Sequence, residues 1–198
     1  TFLQMSDTDA AMAGGPLDFV INALEGAGLN HPSKTYLVYY DGTGGACGGA
    51  LWPGKVVAMY LKGLQGTPSA CGNQPFVSAP DQFPGYWEFA TLHDVLHTQG
   101  VVDVNAPHGN NAHVPEPIDL MYSGPAPWEI GPLLVLDLGG DDYWGPLVPA
   151  GIANLANSPL LGPATSGVRA LRQDGAFRIP APHGTTPLPP LHGPGMER

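Results

Sequence analysis

Leu92-His93-Asp94-Val95-Leu96-His97-Thr98-Gln99-Gly100 is the stretch on which the reading of this chain turns. Two histidines four residues apart, if helical, project from one face about a turn apart and can grip one metal ion. The residue after the first histidine is acidic, as a hydrolytic zinc site requires, but it is Asp rather than Glu. Taken alone the spacing is weak, because across helices it is usually accidental. Three neighbours strengthen it. Gly100, three residues after His97, lets the helix stop and the chain turn back. Beyond that turn lie three candidates for a further ligand, Asp103, His108 and His113. Met121, within Asp119-Leu120-Met121-Tyr122, is placed to form a tight turn beneath the metal.

Working outwards, Tyr86 to His97 is the strongest helix in the chain, with apolar residues at 86, 89, 92 and 96 and the two histidines as an adjoining stripe. Pro16 to Glu25 carries apolar residues at 17, 20, 21 and 24 and opens on a proline suited to a first helical turn. Thr35-Tyr36-Leu37-Val38-Tyr39-Tyr40 and Val56-Val57-Ala58-Met59-Tyr60-Leu61 are β-branched and aromatic runs that read as buried strands. Between them, residues 42–49 form a glycine-rich loop. It lacks the Gly-Lys-Ser/Thr ending of a phosphate cradle, and no evident helix follows it. A short helix is expected near Trp128 to Leu136, and a last packed turn at Ile152 to Pro159. The organisation is therefore a flexible N-terminal segment (1–15), one domain (16–162) and a Pro-rich C-terminal extension (163–198).

Composition limits the partners. The net charge is −10, and no basic cluster occurs anywhere, which argues against nucleic acid and anionic membrane surfaces. No stretch approaches the roughly 18 apolar residues of a membrane span. Glycine (28) and proline (23) exceed a quarter of the chain, so the fold should be rich in loops. The 43 % of hydrophobic residues nevertheless suffices for a core. Two cysteines, Cys47 and Cys71, in a Lys-poor chain favour one disulfide and an exported protein. Asp137, Asp141 and Asp142 form an acidic knot that could hold Ca2+ or could cap backbone groups of an irregular loop. The chain shows no signal-peptide pattern at Thr1-Phe2-Leu3-Gln4, as expected of a processed or trimmed form.

The central stretch resembles the metzincin zinc peptidases, whose signature is H-E-x-x-H-x-x-G-x-x-H or D followed by a methionine-containing turn. The matching residues are His93, Asp94, His97, Gly100 and Asp103, then Met121. It is closer still to secreted bacterial proteins with H-E-x-x-H-T-x-G-x-V, then A-P-H, G-H and D-L-M. Those pieces read here as His93 to Val102, Ala106-Pro107-His108, Ala112-His113-Val114 and Asp119-Leu120-Met121-Tyr122. The likeness spans roughly residues 35 to 162.

The resemblance implies an α+β fold of the metzincin kind. A small twisted sheet would pack on a zinc-binding helix, with a Met-turn in the loop-rich C-terminal half. It implies a secreted endopeptidase acting on protein or peptide substrates, with Zn2+ held by His93, His97 and a third ligand. The A-P-H piece favours His108 for that place, with Asp103 at the strict metzincin spacing and His113 as alternatives. Asp94 takes the place of the general base, and its carboxylate is set back by about 1.5 Å, one bond length, relative to Glu. Tyr122 is a candidate for stabilising an oxyanion or for supporting the ligands. The competing expectation is a metal-binding secreted module, structural or protein-binding, without turnover. Four protein ligands on the metal would mark that case.

Overall fold

Val56–Tyr60 is buried along its whole length, and the fold is arranged around it. A continuous apolar run is what a strand covered on both faces requires. The computed structural model describes residues 15–63, 86–124, 134–158 and 176–177. In chain order they form α1 (Pro16–Gly26), β1 (Tyr36–Tyr40), β2 (Gly48–Ala50), β3 (Val56–Tyr60), α2 (Tyr86–His97), β4 (Leu134–Val135), a 3-10 turn (Leu155–Asn157) and β5 (Ala176–Phe177).

This is a small α+β arrangement with a three-stranded sheet in the order β1-β3-β2. β1 runs parallel to β3, with Tyr36 opposite Val56 and Tyr40 opposite Tyr60. β2 runs antiparallel to β3, with Gly48 opposite Met59. Alternation along β3 divides its side chains between two cores. Val56, Ala58 and Tyr60 pack with Val20 and Leu24 of α1. Val57 and Met59 pack with Phe89, Ala90 and Leu96 of α2, and with Val101, Val102, Met121, Tyr143 and Leu155 from the segments that follow. Each large side chain buried there contributes about 1.5–3 kcal/mol. The second core therefore fixes α2 against the sheet on one side and the 101–155 loops on the other.

The expected helices at 16–25 and 86–97 and the strands near 35–40 and 56–61 are present. β2 is an addition, because the end of the glycine-rich loop pairs with β3. The helix expected near 128–136 is not formed at its C-terminal end, where Leu134–Val135 is a strand. There the extended backbone bonds to a neighbouring segment: Val135 N–H donates to the Ile118 carbonyl and Leu120 N–H to the Val135 carbonyl, both at 2.9 Å. Residues 125–133 lie outside the described residues, as do the 64–85 connection and the extension apart from β5. The last packed turn appears as the 3-10 turn, capped by the Asn154 side chain. No helix among the described residues is long and apolar enough to cross a membrane.

Candidate metal centre

His93 and His97 lie on the last turn and a half of α2 and are both buried. Their Nε2 atoms stand 2.9 Å apart. The third imidazole beside them is His113, whose Nε2 is 3.1 Å from that of His97. The rings of His93 and His113 are stacked at 5.2 Å, and His97 meets both edge-on.

Each ring is oriented by its other nitrogen. His93 Nδ1–H donates to the Leu120 carbonyl at 2.7 Å, His97 Nδ1–H to the Val101 carbonyl at 2.9 Å, and His113 Nδ1–H to the Asn111 carbonyl at 2.6 Å. A carbonyl can only accept, so these bonds place the proton of each neutral ring on Nδ1. Three Nε2 lone pairs then face a common point with no proton between them, an arrangement that repels itself unless a cation sits at the focus. Burial supports the neutral state. It pushes His97 down to about 3, helped by the nearby His113 and opposed by the Val101 bond. It likewise pushes His113 down to about 4 against the Asn111 bond. Zn–N bonds of 2.0–2.1 Å in a tetrahedron set ligand nitrogens about 3.3 Å apart. The observed spacings are slightly tighter, so the donor set fits a metal ion of that size.

The local chain explains the convergence. The end of α2 tightens through Thr98, Gln99 and Gly100, whose N–H groups donate to the carbonyls of Val95, Leu96 and His97. Gly100 then adopts a φ of +83°, open to glycine at little cost, and reverses the chain so that the next carbonyl faces His97. His113 arrives on a tight turn in which Asn110 and His113 exchange both backbone bonds, at 2.7 and 3.0 Å. The two central residues, Asn111 and Ala112, have φ of 49° and 63°, the left-handed pair of a type I′ turn.

His108, favoured for the third place on sequence, stands elsewhere. Its backbone N–H donates to Asp142 Oδ1 at 2.7 Å, and its ring Nδ1 meets Asp142 Oδ2 at 3.0 Å. Asp142 raises the His108 pKa above its ordinary value, by hydrogen bond first and by charge second. Asp103 spends a carboxylate oxygen on the backbone and side-chain nitrogens of Asn105, at 2.8 and 3.1 Å. Neither residue belongs to the histidine group, whose donor atoms all lie within 4.8 Å of one another. The signal that singles out His113 was in the chain: Gly109-Asn110-Asn111 is turn-forming sequence immediately before it.

Asp94 leaves the face carrying the two α2 histidines and packs against β2. It is fully buried, and a Cβ on Gly48 would collide with its Oδ2. Among the described residues, neither carboxylate oxygen has a hydrogen-bond partner. Burial pushes its pKa well above the ordinary carboxylate range.

Met121 is fully buried in the second core, in a turn closed by Tyr122 N–H donating to the Asp119 carbonyl at 3.2 Å. Tyr122 is buried too, with its hydroxyl over Gly124, where a Cβ would strike it. The three aspartates offered either as a Ca2+ site or as caps of backbone groups take different partners. The Asp137 carboxylate accepts the backbone N–H groups of Asp142, Tyr143 and Trp144, which is the capping role. Asp141 and Asp142 face His108 instead. Cys47 is buried and not a free thiol, and its expected partner Cys71 lies outside the described residues.

Comparisons of the chain with protein-family models, with curated proteins and with solved structures find no match.

Proposed function

We propose that this protein is a zinc-dependent hydrolase of peptide bonds, with His93, His97 and His113 as metal ligands and Asp94 as the proton carrier. The observation that carries the reading is the convergence of three Nε2 atoms, two buried and one half-buried, whose Nδ1 atoms are all committed to backbone carbonyls. Zinc on three protein ligands supplies a Lewis acid and lowers the pKa of water towards neutrality, whereas a fourth protein ligand would close the site. The group gathered here holds three.

The chain's own contribution begins with orientation. The carbonyls of Val101, Asn111 and Leu120 hold the imidazoles in one tautomer, and burial keeps His97 and His113 neutral against them. Asp94 follows the proposed ligand His93 in sequence and carries a carboxylate with no hydrogen-bond partner among the described residues. Such a group is suited to take a proton from attacking water and return it to the leaving amine. Residues 119–122 would serve as the Met-turn. A Cys47–Cys71 disulfide and export from the cell complete the proposal.

One observation favours a second reading, a metal-binding module without turnover: the carboxylate of Asp94 is sealed beneath Gly48 of β2. A single experiment separates the two. Purified protein is assayed for bound metal and for cleavage of casein and a peptide library, with and without a chelator. Stoichiometric zinc with chelator-sensitive cleavage that Asp94→Asn abolishes supports the hydrolase. Bound zinc with no cleavage, unchanged by Asp94→Glu, assigns the module. A protein that takes up no zinc overturns both.

A further inference from the structure

The buried polar groups around the turn at residues 119–122 form a chain that neither the ligand set nor the proton carrier uses. Asp119 is almost wholly buried, and its Oδ1 accepts the Met121 N–H at 2.7 Å and the Tyr143 hydroxyl at 2.6 Å. Its Oδ2 accepts the Leu138 N–H at 2.8 Å. The Tyr143 oxygen in turn accepts the Asp137 N–H at 2.8 Å, and its ring is fully buried in the second core. One carboxylate thus ties together both sides of Leu120, the 137–143 loop and a core tyrosine. Leu120 is the residue whose carbonyl receives the proton of His93.

A turn without this tie could present its carbonyl in several directions. With Asp119 bonded to the N–H two residues ahead, the Leu120 peptide is clamped from both ends. Tyr143 prevents the carboxylate from rotating away. The link from Asp119 to the centre runs through the Leu120–Met121 peptide, whose N–H bonds Asp119 and whose carbonyl accepts the His93 Nδ1–H.

We propose that Asp119, held by Tyr143, is a positioning residue for the metal centre, fixing the Leu120 carbonyl that orients His93. This rests on the metal-centre reading above. Outer partners of metal-bound histidines typically control affinity by about 10- to 100-fold.

The test is a double-mutant cycle on the full chain with zinc as the probe, its affinity measured by chelator competition for wild type, Asp119→Ala, His93→Ala and the pair. Asp119→Ala is expected to weaken zinc about 10- to 100-fold in the wild-type background. In the His93→Ala background, where the imidazole that Leu120 orients is gone, it should weaken binding less than about threefold. A residue that merely supports the fold would lower affinity by the same factor in both, and that result overturns the proposal. Should Asp119→Ala fail to fold, Tyr143→Phe enters the same cycle, since it removes only the hydroxyl that restrains the carboxylate. Asp119→Asn keeps an oxygen for Met121 and Tyr143 but loses the Leu138 bond, and should hold zinc more tightly than Asp119→Ala does. Failure to do so in a folded protein also counts against the proposal. Wild-type protein that binds no zinc refutes the metal-centre reading itself, whereas wild-type binding with an additive cycle refutes only the role of Asp119.

Discussion

Gly48→Ala tests what holds Asp94 in place. A Cβ there would fall on Asp94 Oδ2 and come within 2.9 Å of Met59 Sδ and 3.1 Å of Met59 Cε. The thioether is flexible and can give way. The carboxylate is short, sits on a helix packed against the strand, and is wholly enclosed, so it has little room to yield. Overpacking of this kind costs about 1–3 kcal/mol. With Asp94→Ala already present the main obstacle is gone, and the added methyl should cost less than about 1 kcal/mol. The two substitutions are therefore expected to couple by about 1–2 kcal/mol. Urea denaturation of wild type, both single variants and the double variant in the presence of a chelator measures the coupling in the metal-free protein. It should appear as a change in midpoint at constant slope. Single-variant losses that add to within about 0.5 kcal/mol would show that Asp94 does not lie against Gly48.

Three further outcomes are expected. His113→Ala should weaken zinc about 100-fold or more, one ligand's share of the roughly 10–16 kcal/mol that four-ligand sites provide, while His108→Ala leaves affinity within about threefold. Chelator competition checks this, and the opposite ranking would return the third place to His108. Ala112→Gly should stabilise the protein by about 0.5–1 kcal/mol by relieving a left-handed alanine, and Gly100→Ala should destabilise it by about 1 kcal/mol. A Cβ at 100 would make only ordinary contacts, 3.6 Å from Pro53 Cβ and 3.8 Å from Ala153 Cβ, so that loss is one of backbone conformation. Finally, NMR titration should place His108 above the ordinary 6.5, and Asp142→Asn should bring it back down. The raised value means that protonated His108 is bound in the folded state. The pair's contribution to stability is therefore complete below 6.5 and is lost as pH rises through the raised value.

The parts of this molecule legible in its sequence are those where a local period carries the signal. The i, i+4 spacing of His93 and His97, the apolar run of β3 and the spacing at 17, 20, 21 and 24 each follow from helix or strand geometry alone. β2 was hidden because Gly48 answers to the carboxylate of Asp94 across the helix interface, not to strand propensity. The third imidazole was hidden for a related reason. Beyond His97, Asp103, His108 and His113 follow one another at five-residue steps, and the choice among them depends on a reversal at Asn111 and Ala112. β4 was read as helix because its two residues owe their extended form to partners at 118–120 and 176–177.

All three imidazoles lean on main-chain carbonyls, and this shifts where the centre is genetically vulnerable. Any residue brings a carbonyl, and only proline also constrains the path of the backbone, so a change in the side chain of Val101 or Leu120 does not by itself remove the oxygen. Damage must come instead from residues that steer the path of the backbone: Gly100 for one oxygen, the Asn111-Ala112 reversal for another, and the Asp119 clamp for the third. A screen for loss of metal among random variants should accordingly collect at these hinge positions, Asn111 among them, and at the proposed ligands.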